Sequence, residues 1–118
     1  MSRESDQRID DILRAINRCQ RYVRRLDNHD IDLVLMAEDA IERNLQIIGE
    51  AANHLSAGIT DAHPEIAWPQ ILGFRNILVH QYFGVEADIV RDVVKTHLPP
   101  LAEALSQHQR GPESNSTV

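Results

Sequence analysis

The sequence predicts an all-α fold, an up-and-down bundle of four or five helices, and three observations carry that prediction. Apolar residues recur at helical spacing through most of the chain. Only five aromatics occur (Tyr22, Trp68, Phe74, Tyr82 and Phe83) against abundant Leu, Ile and Ala, a balance that favours helix-on-helix packing over a β-sandwich. Turn and helix-start residues fall where the apolar periods break. At 118 residues the chain is long enough for one real core, expected over residues 1–110, with 111–118 as a polar, disordered tail.

The first helix is expected from residue 8 to 26. Ile9, Ile12, Leu13, Ile16 and Val23 share one side, while Arg14, Arg18, Arg21 and Arg25 gather on the other. An arginine stripe is ordinarily a solvated face, and that is the reading the pattern favours. The sharper alternative is a docking strip for RNA or for an acidic partner. Asp27-Asn28-His29-Asp30 makes a turn, and a second helix should run from residue 31 to 55. Its apolar face takes Leu33, Ala37, Ala40, Ile41, Ile47, Ile48 and Ala51, with Asn44 in the middle and Glu50 at the edge. A buried Asn is usually just hydrogen-bonded to its neighbours. Asn44 and Glu50 are nevertheless candidates for lining a polar cleft.

Residues 56–67 read as a connection, with Gly58 suited to a helix stop. Pro69 is well placed to begin a third helix reaching about His80. That helix is apolar almost all round (Ile71, Leu72, Phe74, Ile77, Leu78 and Val79). In so small a domain this predicts a homodimer in which a second chain covers part of it. A fourth helix, from about 86 to 107, carries Ile89, Val90, Val93, Val94, Leu98, Leu101 and Leu105, and Pro99-Pro100 should kink or divide it.

Composition narrows the function classes. The net charge of −6 argues against a nucleic-acid binder taken globally. Residues 1–25, however, hold seven of the twelve basic residues against four acids, so any polyanion contact would be local. Cys19 is alone, which removes disulfides and cysteine-based zinc sites. The remaining histidines (His29, His54, His63, His97 and His108) lack metal-ligand spacing, and no metal or cofactor is expected. No apolar run approaches the roughly 20 residues of a membrane span. A soluble, cytoplasmic protein is the expectation.

Chemistry-bearing residues concentrate in the stretch from Gly73 to Gly84. Arg75 is a fixed cation with a donor fork suited to phosphate. His80 gives or takes a proton near neutral pH. The Tyr82 hydroxyl is donor, acceptor and a point of modification. Asn76 and His80, four apart, share a helix face. Arg75 and His80, five apart, stand about 140° from one another on an ideal helix. Two copies facing across a dimer axis would let both types of side chain meet one phosphate. From spacing alone, a buried Arg–Asn–His network that orders the helix end is an equal reading.

The run Arg75-Asn76-x-x-x-His80-x-Tyr82 resembles the Arg-x4-His-x-Tyr motif of the HepT-like toxins, in the HEPN superfamily of ribonucleases. Residues 44–51 (Asn-Leu-Gln-Ile-Ile-Gly-Glu-Ala) resemble the family's second helix, and Trp68-Pro69-x-Ile71-x-Gly73-x-Arg75-Asn76 resembles its lead-in. The helix after the motif is similar over residues 89–99, although Arg91 stands where an aromatic is common. The resemblance spans residues 5 to about 107. It implies a HEPN-like bundle dimerising through the motif helix, with two motifs lining one cleft, and metal-independent RNA cleavage. It also implies a minimal nucleotidyltransferase antitoxin that adds AMP to Tyr82. Within that reading His80 is the general acid/base, Arg75 binds the phosphate, and Asn76 orients one of them or donates to substrate. The competing class is a non-catalytic helical dimer that docks a nucleotidyltransferase or binds a nucleotide.

Overall fold

The computed structural model describes residues 3–74 and 86–110, and the regular structure among them is entirely helical. Helix α1 (Arg3–Tyr22) passes into a 3₁₀ turn (Val23–Asp27), and α2 (Ile31–Ala52) follows. Two short helices come next, α3 (Ala57–Ala62) and α4 (Trp68–Leu72). The last segment is α5 (Glu86–Asp92), a π-helical turn (Val93–His97) and α6 (Leu98–Arg110). The fold is an all-α bundle, as its composition implies. Residues 111–118, the expected tail, lie outside the described residues.

The bundle is organised on the pairing of α1 with α2, the most extensive contact among the described residues. α6 and the π turn pack on α1, while α4 and α5 pack on α2. Ile9, Ile12, Ile16 and Cys19 of α1 meet Ile41, Leu45 and Ile48 of α2 and Leu98, Leu101 and Leu105 of α6 in one buried core. Each such aliphatic side chain contributes about 1.5–3 kcal/mol by leaving water. The Cys19 thiol donates to the Ile41 carbonyl at 3.8 Å, and burial pushes its pKa up to about 12. It is therefore a packing residue held neutral.

The turn between α1 and α2 is closed by its own side chains. Asn28 Oδ1 accepts from the Asp30 amide at 2.8 Å, and Asp30 Oδ1 caps α2 by accepting from the Asp32 amide at 3.0 Å. A cap of this kind stabilises a helix by about 1 kcal/mol. Arg91 ties α5 to the same corner, donating to the Leu26 carbonyl at 3.1 Å and to Asp27 Oδ1 at 2.9 Å. Arg91 is thus a structural strut between α5 and the α1–α2 corner.

Several positions depart from the periodic reading. Leu33 and Ile89, expected inside, are 40% and 50% exposed, while Leu45 is fully buried. The buried stripe of α2 runs through Ala37, Ile41, Leu45 and Ile48, rotated slightly from the face that the spacing selected. Gly58 does not stop a helix but sits in the first turn of α3. What anchors α3 is tertiary: Ile59 is buried, and the Trp68 indole donates to the carbonyls of Thr60 at 3.1 Å and His63 at 3.0 Å. Pro99-Pro100 do divide the last segment, through the π turn just before them. Two prolines cannot donate to the carbonyls of Lys95 and Thr96, and their rings crowd that turn. The backbone widens there, and the Leu98 amide reaches back five residues to the Val93 carbonyl.

Leu45→Ala is expected to lower unfolding free energy by about 2–5 kcal/mol, because it empties a fully buried site. Leu35→Ala, on the half-exposed start of α2, should stay within about 0.5 kcal/mol of the parent. Urea midpoints by circular dichroism decide both.

Candidate functional site

The described chain leads up to the chemistry-bearing stretch and resumes beyond it. Pro69 lies in the first turn of α4, where a missing amide costs nothing. Ile71 and Phe74 are buried, at 1% and 4% exposure, and they fasten this lead-in to the bundle through the packing of α4 on α2. Gly73 keeps right-handed helical angles (φ −71°, ψ −12°), and a Cβ there would meet no atom of the described residues within 4 Å. Neither backbone strain nor crowding by the described residues demands glycine at that point. Arg75, Asn76, His80 and Tyr82 lie outside the described residues, as does the remainder of the expected third helix.

The two supporting candidates are described, and they are not brought together. Asn44 is 5% exposed on the core side of α2, and its Nδ2 donates to the Ala40 carbonyl at 2.8 Å. Its Oδ1 is buried without a hydrogen-bond partner among the described residues. Such an acceptor costs roughly 1–3 kcal/mol, and exceptions of this kind call for an explanation. Glu50 is exposed and faces His54 one turn later, with Oε1 3.6 Å from Nε2. Six residues apart, the two stand about 120° from one another on α2.

Glu50 instead borders a groove of about 380 Å³ between α1 and α2, beside Arg8, Asp11, Arg43, Gln46 and Ile47. The groove carries two carboxylates and two guanidiniums, so its charges offset one another. Elsewhere, His63 Nδ1 lies 3.2 Å from Glu65 Oε2, and the His63 and His108 rings meet edge-on at 6.1 Å. A backbone hydrogen bond, then the His63 contact, lowers the Glu65 carboxyl below its usual range. Among the described residues no three His, Cys, Asp or Glu side chains are grouped so as to hold a metal ion. Nor is any helix there long and apolar enough to cross a membrane.

The arginine stripe is the other charged feature. Arg14, Arg18 and Arg21 border a hollow of about 330 Å³ with Asp10, Leu13 and Asn17. Arg21, Arg24 and Arg25 border a second, of about 340 Å³, with Tyr22 and Asn28. α-Helical spacing selects Arg25 but leaves Arg24 off the stripe. The 3₁₀ turn brings it in, because residues three apart eclipse one another there.

A family model described as "Ribonuclease HepT-like" matches residues 12–108. The chain belongs to the HepT-like ribonuclease family. A Thermococcus cleftensis protein named "Probable ribonuclease HepT" is 32% identical over 101 residues, 86% of this chain and 92% of that protein. A Methanocaldococcus jannaschii protein named as a "Putative RNase" is 31% identical over 91 residues, 77% of this chain and 84% of its own. No solved structure matches the chain significantly. The HepT-like match runs through α2, α4 and the 75–82 stretch, so both flanking blocks that suggested the resemblance fall within it.

If the Asn44 acceptor serves a site and not the fold, Asn44→Leu should cost less than about 1 kcal/mol in a urea melt, far less than Leu45→Ala. Activity of that variant should fall nonetheless.

Proposed function

We propose that this HepT-like chain is the toxin of a bacterial toxin–antitoxin pair, an endoribonuclease that cuts RNA without a metal ion. The observation that carries the reading is family membership over residues 12–108 in a chain that has Arg75, His80 and Tyr82 together. A purely adaptor protein has no need of all three. RNA brings its own nucleophile, the 2′-hydroxyl. Its oxygen attacks the adjacent phosphorus while a base takes its proton. The 5′-oxygen then leaves with a proton, giving a 2′,3′-cyclic phosphate and a 5′-hydroxyl. His80 serves as general acid/base, worth about 10²–10⁴-fold. Arg75 clamps the phosphate and stabilises the charge that develops on it. Asn76 orients one of these groups or donates to the substrate.

The active form in this reading is a homodimer. Arg75 and His80 would diverge by about 140° on one ideal helix, so two copies across a two-fold axis supply both side chains to one phosphate. The stretch that would meet at that axis is apolar almost all round. Light scattering at micromolar concentration should give twice the 13.4 kDa chain mass. A monomer mass would refute the shared cleft.

His80→Ala is expected to reduce cleavage by about 10²–10⁴-fold and Arg75→Ala by about 10²–10³-fold, with unfolding midpoints unchanged. Cleavage by wild type should persist in chelator. Wild-type inhibition by chelator together with an active His80→Ala would refute this chemistry, and loss of toxicity without any RNA cleavage by wild type would favour the nucleotidyltransferase-docking alternative.

Control rests on Tyr82. A nucleotidyltransferase antitoxin would direct the Tyr82 oxygen at the α-phosphorus of ATP, expelling pyrophosphate and leaving AMP on the ring. The phosphate so added is negatively charged and would compete for Arg75, while its bulk excludes RNA. Intact mass should rise in AMP-sized steps on incubation with the antitoxin, ATP and Mg²⁺, and Tyr82→Phe should abolish the rise. Modification of Tyr82→Phe at the wild-type rate would remove this mechanism.

A further inference from the structure

Among the described residues none of the stripe's arginines is ion-paired, and one carboxylate, Asp10, stands on the rim of the first hollow. Residues 14–25 hold five arginines and no acid in a chain of net charge −6, and all five arginines are exposed. The nearest carboxylates on either flank are already engaged. Asp10 accepts from Gln109 Nε2 at 2.6 Å, and Asp27 is held by Arg91 at 2.9 Å. The arginines shown in ion pairs are Arg8 and Arg91, not those of the stripe. Along about 16 Å of helix, Arg14, Arg18, Arg21, Arg24 and Arg25 therefore border two adjoining hollows that share Arg21.

We propose that this face of α1 and its 3₁₀ turn is a docking strip for the phosphate backbone of single-stranded RNA. The choice of RNA rests on the ribonuclease reading, but the chemistry of the face supports it independently. A row of cations suits a continuous polyanion better than a single ion. Guanidiniums offer paired donors that match phosphate oxygens. Asn17 and Asn28 add neutral hydrogen-bonding groups within the two hollows. The half-buried Tyr22 stands among Arg21, Arg24 and Arg25, where its ring gives a base an edge to pack against. An acidic protein is the other polyanion to weigh, but protein interfaces are built around an apolar core. Among the described residues the apolar lining here is confined to the half-buried Leu13 and the Tyr22 ring. Interfaces with nucleic acid are more polar and more positive, which fits this face.

The probe is a 2′-O-methylated single-stranded RNA of twenty nucleotides, which cannot be cut because its nucleophile is blocked. Affinity is measured across a salt series for wild type, for the Arg18→Ala/Arg21→Ala/Arg24→Ala/Arg25→Ala variant and for the corresponding four-lysine variant. Circular dichroism should be the same for all three, since the side chains are exposed. The alanine variant is expected to bind at least tenfold more weakly at low salt. Its plot of log affinity against log salt should be shallower by about 3, at roughly 0.7 per lost phosphate contact. The lysine variant should keep the wild-type slope. Equal affinity and slope for wild type and the alanine variant would overturn the strip. So would unchanged RNA binding with lost binding of poly-glutamate, which would assign the face to an acidic protein. A wild type that binds the probe in this way yet leaves unmodified RNA intact would refute the ribonuclease reading alone. One that cuts RNA while the alanine variant binds normally would refute the strip alone.

Discussion

The seam between α1 and α2 is the constraint on which the rest of the molecule depends. Ile12 and Ile16 on one side and Ile41, Leu45 and Ile48 on the other are almost wholly removed from water. Two helices joined by a short capped turn can align only one face of each. Once these residues meet, every outward-facing position on both helices is assigned. The arginines of α1 are turned to solvent by the burial of the isoleucines, and Asn44 is turned inward by its place beside Leu45. α6 then lays Leu98, Leu101 and Leu105 over the same core. The charged exterior and the polar interior of this protein are thus consequences of one apolar contact.

Much of that arrangement was legible in the residues. The core positions of α1 and α6 follow the helical period, because long helices with one solvated face repeat it cleanly. The period failed at Leu33 and Ile89, which carry apolar side chains on parts of α2 and α5 that stand in solvent. Hydrophobicity says that burial is favourable, not that a neighbour is present. The short helix α3 was hidden for another reason. Six residues are too few to show a period, and Ile59 together with the Trp68 indole holds them in place. Arg91 could be seen to depart from the family pattern, but two of its partners, Leu26 and Asp27, lie more than sixty residues away, beyond any local rule.

The candidate site is a different matter, because Arg75, Asn76, His80 and Tyr82 lie outside the described residues. Arg75, His80 and Tyr82 announce themselves by chemistry and by their spacing, and the family match encloses them. Glu50 and Asn44 were grouped because one fell at the edge and the other in the middle of the apolar face of α2, whereas the structure sends one to a surface groove and the other to the core. Arg24 escaped notice because a 3₁₀ turn changes the angle per residue. A linear motif is robust to such changes only when its members are close together.

Cys19 carries one more consequence. Its sulfur is fully enclosed by the α1–α2 seam, and at neutral pH the buried thiol keeps its proton. Thiol reagents attack the thiolate of an accessible sulfur, so the folded chain is inert to them. The single cysteine is therefore a built-in clock. Under native conditions its rate of alkylation reports how often the two longest helices part, without any label having been introduced.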